Sequence, residues 1–118
     1  MNKPVDTYFA LSSPPGRSAT ATIRISGGGS LGALTSLTYK QKSKFIHGTT
    51  SLCNIFNKNK ILIDKVVVVY YRGPKSYTGD DMVEIHTHGN PLITQSLFNE
   101  LMDLGLRLAD PGEFTKNA

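Results

Sequence analysis

Residues 19–26, ATATIRIS, alternate apolar and polar positions without a break. On a strand, Ala19, Ala21, Ile23 and Ile25 share one face and Thr20, Thr22, Arg24 and Ser26 the other. Arg24 is thereby centred in a strand and not in a loop. Upstream, residues 5–11 (VDTYFAL) predict a first strand, and SSPPGR at 12–17 a turn marked by two prolines and a glycine. The GGGS run at 27–30 breaks the second strand, and LGALTSLT after it predicts a short, weak helix. Residues 44–56 (KFIHGTTSLCNIF) and 61–71 (ILIDKVVVVYY) predict two strands joined by NKNK as a hairpin. The run VVVVYY is apolar at successive positions, the pattern of a central strand buried on both faces. Residues 82–88 predict one more strand.

A longer helix follows. Asn90 stands at its cap and Pro91 in its first position. Ile93, Leu97, Leu101 and Leu104 make the apolar stripe, and Gly105 is placed to close it in the left-handed conformation. LRLA at 106–109 predicts a short strand. Asp110-Pro111-Gly112-Glu113 then has the form of a capping box, with a proline in the first helical position. The chain stops five residues later, against about 11 residues for an ordinary helix. The expectation is that this chain is the N-terminal piece of a longer protein. The order of elements predicts an α+β fold, a mixed β-sheet with flanking helices, and not a βαβ array.

Composition narrows the setting. The 118 residues make one domain, 1–118, large enough to bury a single core. One cysteine, Cys53, excludes an intramolecular disulfide and points to a reducing compartment. The longest apolar runs are too short to span a bilayer, so no membrane partner is expected. The first residues lack the pattern of a signal peptide. A cytoplasmic protein is expected. The net charge of +4 is unevenly spread: residues 1–63 hold eight Lys/Arg against Asp6, and residues 64–118 hold five against eight acids. A basic half suits a nucleic-acid face. It equally suits a solvated, lysine-decorated hairpin, which is favoured because no aromatic residues interleave Lys40, Lys42, Lys44, Lys58 and Lys60.

Candidate chemistry concentrates in PKSYTGDDMVEIHTHGN, residues 74–90. There is no GxxxxGK[ST] phosphate loop and no HExxH zinc motif. Cys53 has no activating neighbour in sequence and suits a hydrophobic slot. Glu84, His86 and His88 share one face of a strand, and two histidines with a carboxylate can hold a metal. His-x-His alone is a weak signal, and structural or hydrogen-bonding histidines are favoured over a metal site. Glu84 lies between Met82, Val83 and Ile85, so its carboxylate starts at the edge of a core and needs a partner. One partner is an arginine, Arg24 or Arg72. The other is a ligand offering two adjacent N–H donors, the edge that guanine or a pterin presents. Arg24 is the complement, either one half of that ion pair or a donor fork for a ligand carboxylate or carbonyl.

Three blocks carry a resemblance: DTYFALSSPPGRSATATIRISG (6–27), GPKSYTGDDMVEIHTHGNP (73–91) and RLADPGEFTKNA (107–118). In order and spacing they resemble the N-terminal domain of the tRNA modification GTPase family called MnmE or TrmE, over essentially the whole chain. The resemblance implies a fold similar to the folate-binding domains of one-carbon enzymes. It implies a tetrahydrofolate derivative as ligand, 5-formyl- or 5,10-methylene-tetrahydrofolate, and a homodimer. It also implies a longer protein with a GTPase domain, holding GTP, Mg and K, that modifies tRNA wobble uridine at C5 with an FAD-dependent partner subunit of the GidA or MnmG type. Carried over by motif, the ligand residues are Arg24 of RISG and Glu84 of VEIH. The nucleotide site and a further lysine contact lie beyond Ala118, so this chain by itself is expected to carry no catalytic residues. A second reading keeps dimerisation and tRNA docking but makes the folate pocket vestigial. Ser18, Ala19, Thr87 and Asn90 stand where the family usually has glycine, and Asn117 where it has arginine. Side chains at the glycine positions are expected to crowd a ligand that approaches the backbone.

Overall fold

The computed structural model describes residues 6–12 and 19–118. Among them one mixed sheet forms from β1 (Tyr8–Leu11), β2 (Thr20–Ser26), β3 (Thr50–Phe56), β4 (Leu62–Tyr71), β5 (Met82–His88) and β6 (Arg107–Leu108). Their order is β3-β4-β5-β2-β1-β6. Neighbours run antiparallel except β1 and β6, which are parallel. Three helices accompany the sheet: α1 (Ser30–Thr38), α2 (Pro91–Asp103) and the single turn α3 (Glu113–Lys116). The α+β class and the mixed sheet are as the sequence predicts. No helix among the described residues is long and apolar enough to cross a membrane.

The alternation of β2 decides which way the sheet faces. Ala21, Ile23 and Ile25 are buried, and register sets Ile23 against Ile85 and Ile25 against Val83. Ile23, Ile25, Val83 and Ile85 join Phe9, Ile55, Val66 and Val68 in a core closed by Leu34 and Leu37 of α1 and Leu97 and Leu101 of α2. Both long helices therefore sit on one face, and Arg24 and Glu84 point from the other.

α2 begins and ends as its sequence predicts. The Asn90 side chain accepts the Leu92 N–H at 2.9 Å, with Pro91 in the first position. At the other end Gly105 adopts φ +93°, Leu106 N–H reaches Leu101 C=O at 3.1 Å and Gly105 N–H reaches Met102 C=O at 2.9 Å. That pair of bonds is a Schellman closure. Leu104, predicted to finish the stripe, is 44 % exposed, because the helix has already ended there. The NKNK hairpin also forms, its turn tied by the Asn57 side chain to the N–H groups of Asn59 and Ile61.

Several boundaries differ from expectation. The first strand begins at Tyr8, with Asp6 and Thr7 outside it; residue 5 and the predicted turn from residue 13 on lie outside the described residues. β3 begins at Thr50, not 44: Lys42–Lys44 form a 3-10 turn, Phe45 tucks into the core, and Gly48 turns the chain at φ +73°. β4 is an inner strand, but the two-sided burial expected of VVVVYY is incomplete, with four of its six residues buried. Val66, Val68 and Tyr70 lie in the core and Val69 is buried on the second face, whereas Val67 is 36 % exposed. Among the described residues, both long helices lie on the other face of the sheet. At the C-terminal end only the glutamate half of the capping box forms, Glu113 accepting the Asp110 N–H at 2.9 Å. Pro111 stays in a turn, and left-handed Gly112 (φ +76°) precedes the helix.

A clamp joins the two ends of the described chain. Arg107 donates from Nε and a terminal amine to both Asp6 oxygens, each at 2.8 Å. It also grips both oxygens of Glu113, the longer of the two contacts measuring 2.8 Å. Its guanidinium lies 5.1 Å from the centroid of the Tyr8 ring. Tyr8 in turn meets Phe114 edge-on at 4.9 Å and accepts a hydrogen bond from Asn117 at 2.9 Å. The Arg107 hydrogen bonds hold the carboxyls of Asp6 and Glu113 below their ordinary values.

The sign of the pH dependence follows. Depressed carboxyl pKa values give stability that is full at neutral pH and is lost as pH falls below about 4. The contribution is modest because the clamp is largely at the surface, where water and salt screen it. Urea midpoints taken at neutral pH and in acid are expected to fall further for the wild-type chain than for Arg107→Ala. Equal acid losses in the two proteins would contradict the assignment.

Candidate functional site

Register sets Arg24 of β2 directly across from Glu84 of β5 on the face away from α1 and α2. The sequence achieves this twice over: Ile23 and Ile25 turn down in one strand, Val83 and Ile85 in the other, so the residues between them turn up together. Arg24 Nε donates to Glu84 Oε2 at 2.8 Å. The side chains are 34 % and 15 % exposed, respectively. A carboxylate so nearly buried is costly without partners, and Glu84 has more than one. His86 Nε2 stands 3.8 Å from Oε1, its ring held by a 3.0 Å contact between Nδ1 and Thr22 Oγ1. The Tyr71 hydroxyl of β4 is the next. Burial, the charge of Glu84 and a hydrogen bond to it all push the Tyr71 phenol above its ordinary value, and Arg24 opposes them.

Beside Arg24 lies a groove of about 460 Å³, within the range of small-molecule pockets; Glu84 reaches it through Arg24 and does not itself line it. Arg24, Ala10 and Leu11 line it from the sheet, Tyr77 from the loop between β4 and β5, and residues 108–115 from the opposite side. The Tyr77 ring centroid is 5.6 Å from the Arg24 guanidinium carbon, within cation–π reach. The loop carrying Tyr77 is pinned by a 2.7 Å contact between Ser26 Oγ and Thr78 Oγ1 and by the Gly73 N–H on Asp81 Oδ1 at 2.8 Å. A side chain at Gly73 would meet the Gly79 carbonyl at 2.7 Å, so this crossing requires glycine.

Of the residues singled out in the sequence, Arg24 and Glu84 come together and Arg72 does not join them. The Arg72 backbone N–H donates instead to His47 Nδ1 at 2.8 Å. His88 leaves the Glu84 cluster, because Asp64 takes both its backbone N–H (2.9 Å) and its Nδ1 (2.8 Å). Among the described residues no group of three His, Cys, Asp or Glu is placed to hold a metal. Cys53 is buried with Lys40 Nζ 3.9 Å from its sulfur, and burial pushes its thiol upward. Thr87 does not crowd the groove: it is buried on the helix-covered face, opposite Ala21. Asn90 is occupied as the cap of α2. Sequence reasoning missed Tyr71, Tyr77 and Arg107. Tyr71 was hidden inside an apolar run, although its two-residue spacing from Val69 already put it on the Glu84 side of the sheet. Nothing local marks Arg107, whose partners are 101 and 6 residues away.

Comparisons with known proteins identify the family. The family described as "GTP-binding protein TrmE N-terminus" matches residues 7–118. The chain is 43 % identical over 113 residues to the tRNA modification GTPase MnmE of Helicobacter pylori strain Shi470, covering 96 % of this chain and 24 % of that protein. It is 44 % identical over 122 residues to the protein of that name from Fervidobacterium nodosum, covering 96 % and 25 %. Against the one from Thermotoga maritima the figures are 42 % over 114 residues, 97 % and 25 %. The chain spans about a quarter of the length of the curated relatives it matches.

Glu84→Gln removes the carboxylate charge while keeping its size. The raised tyrosine titration seen by ultraviolet difference spectroscopy, assigned with Tyr71→Phe, is expected to move down toward the ordinary value of about 10. An unmoved titration would show that Glu84 and Tyr71 are not coupled.

Proposed function

The chain belongs to the TrmE N-terminal family, and from that premise we propose that it is the tetrahydrofolate-binding domain of a tRNA modification GTPase. The observation that carries the proposal is the Arg24–Glu84 pair, side by side at 2.8 Å beside a groove of about 460 Å³. A carboxylate accepts two adjacent N–H donors bidentately, and the 2-amino and ring N–H groups of a pterin are such donors. Arg24 is engaged with Glu84 through Nε, and its guanidinium lines the groove as a donor for a carbonyl or carboxylate of the ligand. Tyr77 offers an aromatic surface against which a flat ring can stack. The donor set fits a reduced folate, 5-formyl- or 5,10-methylene-tetrahydrofolate. Such a ligand supplies a one-carbon unit; the residues of this chain bind and orient it.

The wider role is part of the same proposal. The domain joins a homodimer in the cytoplasm, within a longer protein whose GTPase region holds GTP, Mg and K. With an FAD-dependent subunit of the GidA or MnmG type, that protein modifies tRNA wobble uridine at C5. Proteins of about 42–44 % identity carry the name tRNA modification GTPase MnmE, which supports the tRNA and GTPase parts.

Calorimetric titration with 5-formyltetrahydrofolate is expected to show one site per chain. Glu84→Gln is expected to weaken it by roughly tenfold to a hundredfold, the cost of a lost charge-assisted hydrogen-bond pair. Undiminished affinity in that variant would remove Glu84 from the site. No folate binding to the wild-type chain, with salt-dependent binding of tRNA, would instead support the vestigial pocket.

A further inference from the structure

We infer that Arg107 is the positioning residue of the groove, setting through Glu113 and Asp6 where the 110–115 wall stands relative to Arg24 and Tyr77. The inference rests on the folate-binding reading of the same groove. Residues 108–115 line one whole side of it, yet Arg107 itself does not line it. That side cannot hold its own shape. α3 is four residues long, far below the length at which a helix is stable alone. The residue before it, Gly112, is left-handed and open to other conformations.

What fixes the wall is a set of ties that meet at Arg107. Its guanidinium holds Glu113 through both carboxylate oxygens, and Glu113 returns a hydrogen bond to Asp110 at the start of the wall. The other side of the guanidinium holds Asp6, just before β1, at two distances of 2.8 Å. Tyr8, lying 5.1 Å from Arg107, carries Phe114 edge-on against its ring. The wall is thus referenced to β1, the strand that pairs with β2 and so with Arg24. The two carboxylates offer four acceptor oxygens. A planar guanidinium can fork to both at once, and an ammonium cannot. There is an electrostatic consequence as well. Glu113 lines the groove, and Arg107 neutralises a carboxylate that would otherwise repel the acidic tail of a folate.

The test compares the wild-type chain with Arg107→Ala and Arg107→Lys, using 5-formyltetrahydrofolate calorimetry and amide hydrogen exchange. In Arg107→Ala the affinity is expected to fall about tenfold, with faster exchange at residues 112–117 and unchanged exchange in β2 and β5. Guanidinium ion at low millimolar concentration is expected to restore part of that affinity, whereas a variant that was merely destabilised would gain nothing from it. Arg107→Lys is expected to stay weakened, and it serves in place of the alanine variant should that one fail to fold. Wild-type affinity in the variants, or unchanged exchange at 112–117, would overturn the positioning role and leave the folate reading standing. Absence of folate binding in the wild-type chain would sink the folate reading. The positioning of the wall would then be decided by the exchange data alone: faster exchange at 112–117 upholds it and unchanged exchange overturns it.

Discussion

The antiparallel register of β2 on β5 is the constraint from which the rest of the molecule follows. It sets Ile23 on Ile85 and Ile25 on Val83 beneath the helices, and in doing so sets Arg24 on Glu84 above them. A slip of β2 by one residue would turn its own apolar set to water, bury Arg24 and part it from Glu84. The hydrophobic core therefore holds the charged pair in place. Burial also makes Glu84 sensitive to its surroundings, since Arg24, His86 and Tyr71 all act on one carboxylate that water reaches poorly. In the proposed function, that partly shielded carboxylate with a fixed cation beside it is what receives a ligand bearing paired N–H donors.

Sheet residues alone make a surface, not a groove. The enclosure comes from two irregular segments, the loop that brings Tyr77 over Arg24 and the segment from Leu108 to Thr115. Neither has much regular structure to hold it, and each is secured by polar ties to a strand: Thr78 to Ser26 in one case, Glu113 to Arg107 in the other. The division of labour is physical. The apolar core supplies rigidity to the strands, and directional hydrogen bonds supply position to the walls, where there is too little apolar surface to bury.

Local signals were sufficient wherever a few adjacent residues set the conformation. The cap at Asn90, the closure at Gly105, the hairpin at NKNK and the alternation of ATATIRIS were all legible, because each depends on contacts within one or two turns of chain. Expectation failed where distant contacts competed. Phe45 was drawn into the core, so the strand predicted from residue 44 starts at Thr50. The capping box at Asp110 formed only its glutamate half, and the helix starts later than predicted, at Glu113 after left-handed Gly112.

For the site itself, the sequence determined the two residues and the faces they occupy. Strand periodicity puts Arg24 and Glu84 on the polar sides of β2 and β5 whatever else the chain does. Which arginine would meet Glu84, whether the histidines would gather around it, and where the groove would lie were decided only by the fold. His88 was taken by Asp64, and Arg72 by its position past the end of β4. Tyr71 came to Glu84 and Tyr77 to Arg24 from the end of β4 and the loop after it, and Arg107 holds Glu113 of the groove wall from β6. Periodicity is a local property and can be read from neighbours in sequence. Pairing across a sheet and closure of a groove depend on loops that bring remote residues together, and no short stretch of sequence contains that information.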